Sequence, residues 1–192
     1  GDSCYPNTTC LINKFDIKND EKLAEVEAEI TFAKAAILES ELPSLPLNFD
    51  YYKNIHRFLF EDLYDWAGKL RKANISKKGT SFCAIKELET LCEACFKRLE
   101  KENYFKGATK EIFVDKIVDF YVTTNYLHPF REGNGRTQRI FISKLIVISS
   151  KSSRLPTSFQ ENRLWITLPL FVFSKTAFST GKAGNCSITE AS

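Results

Sequence analysis

The sequence predicts a mainly α-helical domain carrying one small β-hairpin, and three observations point there. Apolar residues recur at three- and four-residue spacing through five separate stretches. Pro43, Pro46, Gly68 and Pro129 fall between those stretches, where a chain break or helix stop is expected. One segment, Lys69 to Ile85, trades that spacing for short extended runs around a Gly-containing turn.

The first helix is expected from about Asp20 to Ser40. Asn19 or Asp20 can cap its start, and Leu23, Val26, Ile30, Ala33 and Ile37 form its apolar face. Pro43 and Pro46, with Leu45 and Leu47 around them, then break the chain. The second helix runs from roughly Asp50 to Ala67, with Ile55, Phe58, Leu59, Leu63 and Trp66 on one face and Gly68 as terminator. Ala73-Asn-Ile-Ser-Lys-Lys-Gly79 followed by Thr80-Ser-Phe-Cys83 supplies the hairpin. Helical spacing resumes from about Lys86 to Glu102, and again from Lys110 to Leu127 through Ile112, Phe113, Ile117, Phe120 and Tyr121. His128-Pro129 stops that fourth helix, because a residue before proline is pushed away from helical angles. Gly133, Asn134 and Gly135 form a tight loop, and a fifth helix is expected from Gly135 to about Ser149.

A chain of 192 residues is long enough for one domain with a substantial core. The 43% apolar and 27% charged fractions place it among soluble globular proteins, and 16 Phe with seven Tyr predict an aromatic interior. A net charge of +3 with no dense Lys/Arg block gives no expectation of direct nucleic-acid binding. No run of about 18 uninterrupted apolar residues exists, so no membrane span is expected. The first residues, Gly1 to Cys4, lack a basic region followed by an apolar stretch, and the chain has no Met. They read as a cleavage remnant or trimmed start, with a cytoplasmic location. Of the six cysteines, Cys4, Cys10, Cys83, Cys92, Cys95 and Cys186, only Cys92 and Cys95 form a C-x-x-C pair. Their helical spacing with Leu91, Phe96 and Leu99 predicts buried free thiols rather than zinc ligands.

After Lys151 the texture changes. Only Glu161 and Glu190 are acidic in the last 42 residues, and the apolar run from Leu164 to Phe173 is broken by Pro169. The expected organisation is therefore a domain over 1–150 and an atypical tail over 151–192, diverged or frameshifted.

The chemistry concentrates in His128-Pro-Phe-Arg-Glu-Gly-Asn-Gly-Arg-Thr-Gln-Arg139. A histidine at a helix-to-loop junction can offer a ring nitrogen as proton acceptor near neutral pH. Glu132, in the loop, can hold a magnesium ion beside bound phosphates. Gly133, Asn134 and Gly135 precede a helix, so their N–H groups and its dipole face an anion. Arg136 and Arg139, one turn apart, add two cations suited to phosphate. Each feature has a bland reading when taken alone: a polar loop histidine, a Gly-Asn-Gly turn, a solvated helix face. Their coincidence within one short window makes a site for chemistry at a polyphosphate. With no evident covalent nucleophile, direct in-line displacement by an acceptor hydroxyl fits best. The spacing of a Walker A loop is absent from the chain.

This string matches the signature HPF-x-[D/E]-G-N-G-R-x-x-R at every specified position, and the chain thereby resembles the Fic (filamentation induced by cAMP) family. The resemblance extends over roughly residues 5 to 150. Tyr5-Pro-Asn-Thr-Thr with Asn13-Lys-Phe is similar to the family's N-terminal stretch, and His56 to Arg71 to its second block. Asn74-Ile-Ser-Lys-Lys-Gly-Thr-Ser-Phe-Cys83 is similar to its flap hairpin. The resemblance implies a Fic-type helical domain with the flap beside the active site. It implies a protein adenylyltransferase, toxin- or regulator-like, moving AMP from ATP to a Ser, Thr or Tyr hydroxyl of a target protein.

Carried over by the same resemblance, His128 is the general base and Glu132 the ligand of Mg2+ at the α- and β-phosphates. Gly133, Asn134 and Gly135 form the anion hole. Arg136 and Arg139 hold the β- and γ-phosphates, with Arg139 on the γ-phosphate, and Phe130 points inward to anchor the loop. The flap, Ile75, Ser76, Lys77, Lys78, Gly79, Thr80, Ser81 and Phe82, pairs with an extended target segment. His56 is expected to be a structural helix residue. An antitoxin or an inhibitory helix is a further partner the resemblance suggests. Thr157-Ser-Phe-Gln-Glu161-Asn162 matches that helix's pattern [S/T]-x-x-x-E-[G/N], a string too short to carry the assignment; Ser40 and Glu41 do not make it. Two other functions compete. Kinase-like phosphate transfer on this fold is disfavoured by Gly135, where kinase-like members resemble the motif with Lys. A catalytically impaired nucleotide-binding module is the other, if the tail leaves the domain incomplete.

Overall fold

Among residues 4–77 and 79–150, which the computed structural model describes, the architecture is five α-helices, one short 3-10 turn and one two-stranded ladder. In chain order these are α1 (Asp20–Ser40), α2 (Phe49–Phe60), β1 (Ser76–Lys77), β2 (Thr80–Ser81), α3 (Ile85–Lys101), the 3-10 turn Asn103–Phe105, α4 (Lys110–Leu127) and α5 (Asn134–Ser150). The mainly helical fold matches the sequence expectation. Lys78, Cys186, the 151–192 tail and its 157–162 string lie outside the described residues.

Helix α5 is the central element. It packs against α1, α2 and α4, and Ile140, Phe141, Ile142, Leu145 and Ile146 bury successive sides of it. Buried residues cover most of its circumference, leaving a strip through Gly135, Arg139, Ser143 and Val147 that reaches solvent, so the helix shows no single narrow apolar stripe. Around it, Phe96, Phe120, Phe141, Tyr52 and Phe130 form the expected aromatic interior. Phe96 meets Phe141 edge-on at 5.2 Å, and Tyr52 stacks on Phe130 at 5.7 Å. Cys92 and Cys95 are buried free thiols on the inner face of α3, and burial pushes both thiols up, to about 12 and about 11. No cluster of three or more metal-ligating side chains occurs among the described residues.

Two elements depart from the periodicity. Helix α2 ends at Phe60 rather than near Ala67. The Phe60 carbonyl accepts both the Leu63 N–H (3.0 Å) and the Tyr64 N–H (2.9 Å), and the Leu63 carbonyl accepts the Lys14 N–H (2.8 Å). The N-terminal segment thus takes a carbonyl that a longer helix would use, while Leu63 and Tyr64 still fill the core. Helix α1 begins under its Asn19 cap, whose side chain accepts the Lys22 N–H, as predicted. Its inner face is rotated, however. Ala33 and Ile37 are exposed, and Glu27, Thr31 and Lys34 turn inward beside Leu23, Val26 and Ile30. Lys144 on α5 fastens the far end of α1 by donating to the Leu38 and Glu41 carbonyls.

Candidate active site

The loop between α4 and α5 is shaped by residues whose polar groups have no helical partner. Leu127 ends α4, and His128 caps it in the left-handed conformation, φ +44° and ψ +60°, with its N–H donated to the Thr124 carbonyl (3.1 Å). That conformation turns the chain sharply and sends Phe130 into the core, where it is fully buried between Tyr52 (5.7 Å) and His56 (3.8 Å). Asn134 then closes the loop on itself. Its Oδ1 accepts the Phe130 N–H (2.9 Å) and its Nδ2 donates to the Phe130 carbonyl (2.8 Å). Thr137 donates its N–H (3.1 Å) and hydroxyl (3.0 Å) to the Gly133 carbonyl, which starts α5.

His128 is half-buried, and its Nδ1 lies 3.3 Å from the Asn125 carbonyl. A carbonyl can only accept, so Nδ1 carries the hydrogen and the neutral ring keeps its lone pair on Nε2. The ring of Phe82, just beyond β2, stacks on the imidazole at 3.9 Å between centroids and 19° between planes.

His56 is a second, differently used imidazole. Its Nδ1 accepts the Gly68 N–H (2.8 Å), so Nε2 carries the hydrogen and donates to the Glu132 carbonyl (3.0 Å). Fully buried and stacked on Phe130 and Phe60, it ties the α4–α5 loop to the turn after α2. Burial pulls its pKa down from 6.5 to about 4, against the opposing pull of the Glu132 carbonyl. A folded pKa below the unfolded one means the unfolded chain binds the proton first, so stability is lost as pH falls. We expect urea-measured stability to fall as pH drops from 6.5 towards about 4, with roughly 3 kcal/mol of the loss due to this group. His56→Gln should flatten that part of the curve; parallel curves for the two proteins would remove the assignment.

The charges gather at the start of α5. The N–H groups of its first turn, from Asn134 to Arg136, have no intrahelical acceptor and lie at the positive end of the helix dipole. Glu132 is exposed, with Oε1 accepting the Gly133 N–H (2.9 Å) and lying 3.7 Å from Arg136 Nη2. Arg136 reaches towards α1 instead of solvent. Its Nη2 meets Glu27 Oε1 at 2.5 Å, its Nη1 donates to the Thr31 hydroxyl (3.0 Å), and its guanidinium lies over the Phe60 ring. Tyr64 donates its hydroxyl to the other Glu27 oxygen. Burial and the Glu27 carboxylate push that hydroxyl's pKa up, so it remains a donor. Arg139 lies exposed one turn along, and its Nη1 passes close over Gly135. Desolvation by the surrounding protein and, secondly, Arg136 lower the Arg139 pKa, yet a guanidinium starting from 12.5 remains charged.

The structure therefore brings His128, Glu132, Gly133, Asn134, Gly135, Arg136 and Arg139 to one end of α5, with Phe82 beside them. The hairpin pairs antiparallel with Ser76 opposite Ser81 and Lys77 opposite Thr80. Ser76, Gly79 and Ser81 are exposed, and the Phe82 N–H donates to the Ile75 carbonyl (3.3 Å). Residues that sequence reasoning missed are Glu27, Thr31 and Tyr64 around Arg136, and Arg71 beneath His128. Glu27, Thr31 and Lys34 did leave a trace, as polar residues one turn apart on a helix.

Three comparisons bear on this arrangement. The model of the Fic/DOC family matches residues 46–146. The Escherichia coli (strain K12) protein named "Probable protein adenylyltransferase Fic" is 36% identical over 143 residues, 74% of this chain and 70% of that protein. Among solved structures, the VirB-translocated effector BepC of Bartonella tribocorum, with bound AMPPNP, is 26% identical at a TM-score of 0.70 over 77% of each chain. The N-terminal Fic domain of a VirB-translocated Bep effector from Bartonella quintana, with bound ADP, is 28% identical at a TM-score of 0.70, over 77% of this chain and 76% of that one.

Proposed function

The chain belongs to the Fic/DOC family, and on that premise we propose that it is a protein adenylyltransferase, moving AMP from ATP to a Ser, Thr or Tyr hydroxyl of a target protein. The observation that carries this reading is the contact of His128 Nδ1 with the Asn125 carbonyl. A lone pair on Nε2, held by the Nδ1–H bond to Asn125, lies at the loop that leads into the first-turn amides of α5. That pairs a proton acceptor with a site for polyphosphate. The target hydroxyl gives its proton to Nε2 as its oxygen attacks the α-phosphorus. The bond from that phosphorus to the bridging oxygen breaks, and pyrophosphate leaves. One new phosphoester is formed and one phosphoanhydride is lost.

The amides of Asn134 and Gly135, and that of Gly133 once Glu132 Oε1 gives up its bond to it, hold the phosphate oxygens in this reading, and Arg136 and Arg139 hold the β- and γ-phosphates. Arg136 can do so only from the edge that Glu27 and Thr31 leave open. Mg2+ fits as a partner of the nucleotide, because it commonly takes one or two carboxylates and completes its shell with phosphate oxygens and water. Glu132, an exposed carboxylate beside the first turn of α5, is the donor that would hold it. When bound, it would neutralise charge on the phosphates. The flap, residues 75–82, carries a two-stranded ladder that no third strand joins among the described residues, and an extended target segment could add to its edge. A toxin or regulatory role, a restraining antitoxin or helix, and a cytoplasmic location complete the proposal. No helix among the described residues is long and apolar enough to cross a membrane.

Incubation with α-labelled and γ-labelled ATP and candidate target protein tests the reaction. Label on protein from the α-position supports AMP transfer; label from the γ-position means phosphate transfer, and no label from either means a nucleotide-binding module. Arg139→Ala should weaken ATP binding by roughly tenfold or more, the worth of a charge-assisted hydrogen bond, and ADP binding by much less. Equal losses for the two nucleotides in a calorimetric titration would take the γ-phosphate away from Arg139.

A further inference from the structure

Arg71 is a buried cation, 5% exposed, and no carboxylate among the described residues forms an ion pair with it. An unpaired charge is costly to bury unless its hydrogen bonds are met. Here main-chain carbonyls take four of its five N–H groups. Nε donates to the His128 carbonyl (2.9 Å) and Nη1 to the Ala73 carbonyl (2.8 Å). Nη2 donates to the Cys83 carbonyl and, at 3.4 Å, to that of Leu127. The backbone N–H of Arg71 adds a bond to the Pro129 carbonyl (2.9 Å).

Those acceptors fall on three segments. Ala73 and Cys83 flank the hairpin, one on each side of residues 75–82. Leu127 and His128 carry the last carbonyls of α4, which lack helical partners and sit at the negative end of its dipole. One planar guanidinium therefore fixes the width of the hairpin's base and ties that base to the main chain of the histidine. Two further contacts follow the same line: the Cys83 N–H donates to the Tyr126 carbonyl (3.0 Å), and Phe82 stacks on the His128 ring.

We propose that Arg71 is a positioning residue that joins the target-binding flap to the general base, so that the two are held in register. The proposal takes the roles of flap and base from the reading above, but the coupling itself is a property of the fold. A lysine cannot replace the guanidinium, because an ammonium offers three donors from one point while these acceptors surround a planar fork.

The test uses the full chain with Arg71→Lys and Arg71→Met. Amide hydrogen exchange in the nucleotide-free protein should speed up about tenfold or more at Phe82, Cys83 and His128 in Arg71→Lys, with Leu59 in α2 unchanged. In the transfer assay kcat should fall about tenfold or more and KM for the target should rise, while ATP affinity stays within about twofold. Arg71→Met should exceed Arg71→Lys in each respect. Unchanged exchange at the flap and His128 amides would overturn the proposal. So would acceleration of α2 by the same factor, which marks Arg71 as a brace for the whole fold. If Arg71→Met does not fold, Arg71→Lys decides alone. If the unmodified protein transfers no AMP, the proposed reaction fails, and the exchange comparison still decides the role of Arg71.

Discussion

Replacing His128 with Ala is expected to abolish AMP transfer and leave ATP bound. General-base catalysis is worth roughly 10²–10⁴-fold, so transfer should drop to background in an assay with α-labelled ATP. The other histidine cannot take over. His56 is fully buried, both its ring nitrogens are already bonded, and burial holds its pKa down at about 4. Nucleotide affinity should change by no more than a few fold, because in the proposed reaction the first-turn amides of α5 and Arg139 would bind phosphate without the imidazole. Ala also removes the ring on which Phe82 stacks. His128→Asn restores one local contact, because its amide nitrogen can keep the bond to the Asn125 carbonyl, but it offers no acceptor where Nε2 was. Both variants should be inactive. Transfer retained by His128→Asn would place the base elsewhere.

The parts of this site that were legible in the sequence are those fixed by local chain chemistry. His128-Pro129 marked the end of α4, and Asn19 the start of α1, because a proline and a cap act on adjacent backbone. Gly133-Asn134-Gly135 marked a loop opening a helix, and the resemblance supplied roles for its neighbours. What the sequence left hidden depends on chain segments far apart. Arg136 read as a phosphate ligand, yet its terminal nitrogens are engaged by Glu27 and Thr31, more than 100 positions earlier. That pairing rotates α1, so that Ala33 and Ile37 face out where apolar spacing put them in. The end of α2 was misplaced for a similar reason, since the Leu63 carbonyl is taken by Lys14. In the sequence Arg71 stood only as the last residue of the block resembling the family's second block. Its weight comes only from the carbonyls that three segments present to it.

Gly133 gives the second large effect, and here the structure supplies a reason the sequence did not. As part of a Gly-Asn-Gly loop it reads as backbone left bare for a ligand. In the fold it is buried with φ at +76°, and a Cβ built there would lie 2.2 Å from the Cε2 and Cζ atoms of Phe60. Phe60 is itself fully buried, stacked on His56 and lying under the Arg136 guanidinium, so its ring has nowhere to go. Gly133→Ala should therefore combine left-handed strain of about 1–2 kcal/mol with overpacking of about 1–3 kcal/mol. A total near 3 kcal/mol corresponds to a drop of roughly 10 °C in Tm for a chain of this size. Transfer should be lost as well, because any relief must come from moving the first turn of α5, whose amides would hold the phosphates in the proposed reaction. Pairing the change with Phe60→Leu separates the terms: the smaller side chain removes the clash but leaves the strain. Gly133→Ala should then cost only about 1–2 kcal/mol in the Phe60→Leu background. An equal cost in both backgrounds would mean that Phe60 does not set the need for glycine at this position.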